Sequence, residues 1–570
     1  MGSGSSKERS SSRGEDFVVP QNLVNGTNIS TMDSSHTRKM TDEESSSKKS
    51  RKTANSNGHI KNGPVSNGSP HFLSTAQVQA LVDKLEDGQL FCDPDFPADN
   101  TSLFFSPDKQ NADRTIVWKR PQDIVEEWQT PQLMIDGMTR DDIKQGILGD
   151  CWFLSSCAAV SQKENFLKKV MCKNQPLCGE GYQGIVHFKF WRFGKWVDVY
   201  IDDRLPTRNK KLIYASCTDS NEFWVSLIEK AYAKLNGSYE AIDGGQTMDA
   251  LVDMTGGLAE RFEIEKRDLN LYRQILRASK SEAFITCSRK GDWKLSNKAE
   301  PNGLLSGHAY TITGIEKIQH KMGEEKLVRI RNPWADGTEW KGSWSDNDSN
   351  WQWVDDETKQ RLQLQKKDDG EFWMSFRDFC KHFSDLTICL MGPDFDGDGI
   401  SDKAGHVEIV HGEWREGVSA GGSRNDLWKF ATNPQYLLTL TEPDAFDEET
   451  DDPELEGMCS VVISLMQKPR TSNSFKSKHL QIGFMIYKVE EPVTYSVSAR
   501  YFRYNPDSGK SGVYVNFREV SGRFELEPGH YVLIPSSFRP DDESAFMLRI
   551  FGESTFKLEG PLPSDPEPEH

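Results

Sequence analysis

The most constraining stretch of this chain is Gln145-Gly-Ile-Leu-Gly-Asp-Cys-Trp152, because it sets a thiol at the head of an apolar run. Gly149 permits a tight turn and Asp150 has the chemistry of a helix N-cap, so the run from Cys151 through Val160 reads as a helix that starts at the cysteine. Unpaired N–H groups and the helix dipole at such an end favour a thiolate. Gln145, upstream in the same loop, can turn its side-chain amide to the same point. A nucleophile beside a neutral donor is the equipment of acyl transfer: one group attacks and the other steadies an oxyanion. A cysteine in an apolar run is more often a plain core residue, so the chemistry depends on its partners.

Those partners lie far downstream. His308 stands in Ser306-Gly-His-Ala-Tyr-Thr-Ile312, an alternating run that reads as a strand beginning at or near the histidine. Asn332 follows in Val328-Arg-Ile-Arg-Asn-Pro-Trp334, where Pro333 ends a second strand. Cysteine, histidine and asparagine in that order match the thiol-peptidase scheme, although 157 positions separate Cys151 from His308, slightly more than the roughly 130–150 of papain-like enzymes. Cys151 then attacks a carbonyl, His308 takes and returns the proton, and Asn332 fixes the imidazole tautomer. Gln145 and the Cys151 N–H hold the oxyanion.

The segments Gln145–Leu154, Gly307-His-Ala-Tyr310 and Arg331-Asn-Pro-Trp334 resemble those of the calpains, calcium-activated intracellular cysteine proteases. Glu229-Lys-Ala-Tyr-Ala-Lys-Leu-Asn-Gly-Ser-Tyr-Glu240 and Asp369-Gly-Glu-Phe-Trp-Met-Ser-Phe376 add to the likeness, which covers roughly residues 72–555. It implies an α+β fold: a papain-like two-lobe core followed by an antiparallel calpain-type β-sandwich. The expected divisions are a disordered tail over 1–71, a cysteine lobe over 72–257, a His/Asn lobe over 258–392, the sandwich over 393–560 and a short tail over 561–570. Gly256-Gly257 is the expected hinge, and the resemblance implies that Trp334 wedges between the lobes in the absence of calcium.

The resemblance also implies calcium as the cofactor. On the first lobe its ligands are Asp142 and Glu240 with the carbonyls of Ile135 and Gly137. On the second they are Glu339, Asp346, Asp369 and Glu371 with the carbonyl of Lys367, where the family carries an apolar residue. Carboxylate and carbonyl oxygens are the hard donors calcium prefers. Arg140 and Glu371 are placed to pair across the lobes. Asp394-Phe-Asp-Gly-Asp-Gly399 begins like an EF-hand loop, but Gly405 stands where the closing glutamate is needed, so it reads as a domain junction.

Inside the core, Ile185–Asp203 alternates as two strands joined near Phe193-Gly194-Lys195. Trp224, Leu227, Ile228, Ala231, Tyr232 and Leu235 then fall at helical spacing, and a short helix is expected over Leu269–Ser279 with Asp268 as its cap. Beyond Gly405 short alternating runs predict sandwich strands at Tyr436–Thr441, Val461–Met466, Ile482–Val489, Gly512–Phe517, Tyr531–Ile534 and Ala545–Phe551. The loop Glu442–Glu456 holds nine carboxylates, with Lys468, Arg470, Lys476 and Lys478 as candidate counter-charges.

The formal charge of −18 excludes a general nucleic-acid binder and suits a cation-binding protein. No apolar run approaches the ~18–20 residues of a membrane span, the first residues lack a secretory signal, and ten scattered cysteines read as reduced thiols, so a cytoplasmic setting is expected. The Ser-, Asn- and Lys-rich first seventy residues read as a solvated linker. Met1-Gly-Ser-Gly-Ser-Ser6 nevertheless fits a myristoylation pattern with Gly2 as acceptor. A single acyl chain holds a membrane only marginally, and Lys48-Lys-Ser-Arg-Lys52 offers a second signal or a weak nuclear one. Protein substrates are the expected partners, with membrane contact through the tail or the sandwich. A penta-EF-hand segment is not seen after the sandwich, so small-subunit dimerisation is not expected. The expected activity is limited, calcium-activated endoproteolysis. A catalytically silent calcium- and membrane-binding scaffold would not need the triad, and acyl transfer to an amine would not need the calpain segments.

Overall fold

The structure, a computed structural model, describes residues 72–566 apart from 87, 106–114, 136, 173–174, 265–268, 292–297, 335, 393–404, 447–452 and 469–478. The tail with Gly2 and Lys48–Lys52, the EF-hand-like Asp394–Gly399, the cap Asp268, and Arg470, Lys476 and Lys478 lie outside the described residues.

The cysteine helix, Cys151–Ser161, is buried on every face, which is why its sequence is apolar or small all round. It sits in a hydrophobic core built from the hairpin Ile185–Arg192/Lys195–Asp202 and the helices Trp224–Asn236 and Thr247–Thr255. The hairpin turns on Phe193 and Gly194, both at positive φ (49° and 88°), the backbone of a type I′ turn. Helix Trp224–Asn236 faces the core with Trp224, Leu227, Ile228 and Ala231, but it also buries two cations: Lys230 bonds Asp202 and Lys234 bonds Asp93, each at 2.7 Å. The second pair ties the segment before the catalytic stretch to this helix.

A second core lies on a six-stranded antiparallel sheet. Its strands run, in spatial order, Glu371–Ser375, Gly323–Arg331, Ala309–His320, Phe284–Ser288, Asp385–Leu390 and Leu258–Glu263. Helix Leu269–Lys280 contributes Leu271, Tyr272 and Ile275 to the same core. The register pairs Thr311 with Arg331 and Arg331 with Glu371. His308 just before one strand, Asn332 just after the next and Glu371 at the start of a third are thereby brought to one end of the sheet.

The last part is two antiparallel sheets facing each other over a shared apolar core that includes Trp414, Leu438, Ile463, Phe484 and Phe546. One sheet is ordered His406–Trp414, Ser544–Gly552, Cys459–Gln467, Glu519–Leu526. The other is ordered Gly509–Lys510, Ile482–Val489, Gly529–Ser537, Tyr436–Leu440, Phe556–Glu559. The expected strand over Gly512–Phe517 is not formed; that stretch is a loop with a single bridge from Val515 to Ile482. A strand forms instead over Glu519–Leu526, whose Ser521 and Arg523 side chains bond the protease core while Glu519 and Glu525 bond within the sandwich.

Those contacts gather where the two cores join. Helix Thr247–Thr255 ends at Gly256, whose φ of +69° is the left-handed conformation of a helix C-cap. Arg549 donates to the carbonyls of Gly256 (3.0 Å) and Gly257 (2.9 Å), is paired with Glu519 and lies over the Trp191 ring. Arg518 bonds both oxygens of Asp253 (2.9 and 3.0 Å) and the Asp249 carbonyl. Arg523 bonds both oxygens of Glu260 (3.1 and 2.8 Å). The sandwich thus grips the expected hinge from both sides.

Candidate active site

The catalytic candidates converge from three elements. His308 Nε2 lies 2.9 Å from Asn332 Oδ1. As the neutral imidazole its Nε2 carries the proton that the amide oxygen accepts, which leaves Nδ1 bare as a base. Asn332 is held in turn: its Nδ2 donates to the Thr338 carbonyl (3.0 Å) and its backbone N–H to that of Gly370 (2.8 Å). Cys151 faces the same sheet. The Ala309 amide, next to His308, lies on the thiol, and Thr311 Oγ1 donates to the Ser155 carbonyl of the cysteine helix (2.7 Å). Among the described residues no hydrogen bond joins Cys151 to His308.

Electrostatics fit an unengaged pair. Burial pushes the Cys151 thiol up to about 11 despite the amides of Ala309 and of its own helix end, and Asp150 adds to the rise. Burial likewise drives His308 down to about 4, only partly offset by Asn332. The expected helix-end thiolate is therefore not formed here: loss of solvent outweighs the dipole. The expected Asp150 cap is also corrected. Asp150 occupies the N-cap position, and its carbonyl accepts from Phe153 and Leu154, but its side chain makes no cap hydrogen bond and is wholly buried.

Gln145 and Trp334 are hydrogen-bonded to each other beside the His308 ring. Trp334 donates its indole N–H to Gln145 Oε1 (3.1 Å), and its ring meets the His308 ring edge-on at 5.5 Å between centroids. Gln145 Nε2 meanwhile donates to the Leu148 carbonyl (2.8 Å). The donor expected for an oxyanion is thus committed at both ends of its amide, once to its own loop and once to the tryptophan.

The acidic residues form two unlike sets. Asp142 accepts from Thr139 twice (2.7 and 2.9 Å) and from the Trp224 indole (3.2 Å), while Glu240 accepts from the Phe105 amide (2.9 Å). Ile135 donates its N–H to Glu222, and Gly137 holds φ at +109° in the same loop. On the other side, Asp346, Lys367, Asp369 and Glu371 line one cavity of about 130 Å³ together with Arg140 and Arg329. Arg140 reaches across to Glu371 (3.0 Å), and Arg331 to Asp141 (3.0 Å). Glu339 and Asp346 share a second, wider cleft. Burial and the neighbouring carboxylates Asp346, Asp369 and Asp368 push Glu339 up to about 7; burial and Asp369 and Glu371 push Asp346 to about 6. Carboxylate and carbonyl oxygens are by type the hard donors that calcium takes. Among the described residues no three His, Cys, Asp or Glu side chains are gathered closely enough to hold an ion.

Residues 91–390 match the family model described as calpain family cysteine protease, and residues 410–551 match calpain large subunit, domain III. The chain belongs to the calpain family. It is 42% identical over 485 residues to Calpain-A of Drosophila melanogaster, covering 83% of this chain and 57% of that protein. Against Calpain-B of the same fly the figures are 41%, 85% and 52%, and against human Calpain-9 they are 43%, 85% and 68%. The chain spans only a little over half the length of the two fly calpains it matches. Calpains are generally calcium-dependent. No helix among the described residues is long and apolar enough to cross a membrane.

Two features of this calpain escape a reading of its sequence. Glu229, taken there as part of a family segment, is buried against Asp150 behind Cys151. Its interior position in a helix otherwise flanked by Lys230 and Lys234 makes it look like a surface charge, and only its slot on the Trp224–Tyr232 face hints otherwise. Arg331, beside Asn332, is buried and pairs with Asp141; nothing in its spacing signals that partner.

Proposed function

We propose that this calpain is a calcium-dependent cysteine endopeptidase that makes limited cuts in protein substrates with Cys151, His308 and Asn332. The observation that carries the proposal is the His308–Asn332 bond at the sheet end packed on the cysteine helix. His308 Nδ1 takes the Cys151 proton as the thiolate attacks the scissile carbonyl. The tetrahedral oxyanion accepts from the Cys151 N–H and from Gln145 Nε2 once that amide is released from Leu148. His308 then protonates the leaving amine, and water, deprotonated by the same nitrogen, hydrolyses the thioester.

In this reading residues 72–257 and 258–392 move as two lobes, and the arrangement described is the resting one, with Trp334 on Gln145 and the thiol protonated. Asp142, Glu240 and the carbonyls of Ile135 and Gly137 would hold one calcium ion; Glu339, Asp346, Asp369, Glu371 and the Lys367 carbonyl would hold another. When bound, calcium supplies the positive charge that the crowded carboxylates lack. The Arg140–Glu371 pair couples the two sets. All ten cysteines are free thiols, which supports a reducing, cytoplasmic setting. The intact triad disfavours a silent scaffold. Cys151→Ser in the full chain should abolish calcium-dependent cleavage of a denatured protein mixture, read by mass spectrometry, while calcium binding persists. Cleavage that survives in protease-free material would overturn the assignment.

A further inference from the structure

Behind Cys151 the interior holds two acids, and among the described residues no cation faces them. Asp150 immediately precedes Cys151 and is fully buried. Among the described residues neither of its carboxyl oxygens has a hydrogen-bond partner of good geometry; the backbone donor beside them is its own N–H. Glu229, from the middle of helix Trp224–Asn236, is buried facing it and accepts the Ala215 N–H on both oxygens at 3.1 Å. The cations on either side of Glu229 in sequence are committed elsewhere, Lys230 to Asp202 and Lys234 to Asp93. The other groups that face the acids add no positive charge. They are the thiols of Cys151 and Cys157, the buried Tyr239 hydroxyl, and Asp243, whose Oδ1 accepts the Gly149 N–H at 3.0 Å.

Two carboxylates in contact without a cation cannot both stay ionised in a dry site. Two carboxylates also lack a donor for a bond directly between them, and only a proton on one of the acids supplies it. The Tyr239 hydroxyl and the Cys157 thiol stand beside the pair and do not bridge it. We propose that Asp150 and Glu229 hold one proton between them and act as a positioning pair for the nucleophile. The shared proton ties the turn that launches the cysteine helix to the helix behind it, and so fixes where the Cys151 sulfur points. It also keeps the charge behind the sulfur at one negative unit, so that a thiolate can form. Burial raises both acids, Asp150 to about 7 and Glu229 well above its usual range. Asp150 raises Glu229 further while the bond with Glu229 lowers Asp150, the opposite effects expected when the shared proton sits on Glu229. Loss of the proton at higher pH would set two negative charges against the forming thiolate.

The inference rests on Cys151 being the reactive thiol, and its test separates the two ideas. Glu229→Gln keeps the size and supplies a permanent donor to Asp150; Glu229→Leu removes the bond and leaves Asp150 unpaired. In the full calcium-loaded chain, the infrared spectrum of wild type should show a protonated buried carboxyl that Glu229→Gln lacks, whatever the protein's activity. Alkylation of Cys151 by iodoacetamide should slow no more than about threefold in Glu229→Gln, roughly ten- to a hundredfold in Glu229→Leu. The wild-type rate should fall away at alkaline pH, and Glu229→Gln should lose that limb. Should the leucine variant fail to fold, Asp150→Asn serves in its place as the reciprocal amide, with the same expectations as Glu229→Gln. Absence of the carboxyl band, an unchanged alkaline limb in the amide variants, or losses in Glu229→Gln equal to those in Glu229→Leu would each overturn the proposal.

Discussion

Trp334→Phe isolates one atom of the resting arrangement. The substitution keeps an aromatic ring near His308 and deletes the indole N–H that Gln145 Oε1 accepts at 3.1 Å. A neutral hydrogen bond of this kind contributes about 0.5–1.5 kcal/mol net, and both partners are only half-buried, so water can replace the lost donor and the cost falls near the middle of that range. About 1 kcal/mol against the resting arrangement raises the closed population roughly fivefold. Where the thiol reacts only when the lobes close, its alkylation by iodoacetamide in excess chelator should rise by about the same factor. With two ions taken up on closing, the calcium midpoint should fall by the square root of that factor, about twofold. Trp334→Ala also removes the ring from His308 and should go further in both readouts. The assay is the pseudo-first-order alkylation rate of the full chain across free calcium concentrations. A Trp334→Phe chain that matches wild type in chelator and in midpoint would refute the wedge and leave Trp334 an ordinary packing residue.

Two further outcomes follow from the acidic set and from the tail. Glu339 is lifted from its usual 4.5 to about 7. Between those values the unfolded chain releases a proton that the folded chain keeps, so its contribution to stability falls as pH rises. Glu339→Gln should therefore raise the melting temperature of the chelated protein more at pH 8 than at pH 5, by scanning calorimetry, and should weaken the gain that calcium gives; an equal gain at both pH values would show that Glu339 is not crowded. We also expect the full chain from a eukaryotic host to carry a myristoyl adduct on Gly2 that Gly2→Ala loses, by intact mass; an unmodified glycine would leave the tail a linker.

The sequence made some parts of this calpain plain because local pattern and tertiary need agreed there. The alternation from Ile185 to Asp202 is a hairpin half-buried on a core, and Trp224–Asn236 presents its apolar residues at helical spacing to that core. Cys151, His308 and Asn332 were legible as a set because each ends or begins an apolar element, and the sheet register then carries the last two to one end. Glu519–Leu526 was hidden because its alternate residues are Glu519, Ser521 and Arg523, which bury themselves by bonding other polar groups. Asp150 misled for the opposite reason: its residue type suits a cap, but a distant glutamate took the side chain. Pairing of that sort leaves no period in a sequence.

The grip of the sandwich on the junction alters what kind of machine this is. Arg549 holds two successive carbonyls of the joint, while Arg518 and Arg523 hold acids before and after it. No rotation at Gly256-Gly257 can leave all three arginines where they are. In the proposed motion of two lobes about this joint, the third body therefore enters the energy balance of opening and closing. Linkage runs both ways. Whatever binds the sandwich and shifts those arginines must change the work of closing. Closing must in turn change the sandwich's affinity for that ligand by the same factor.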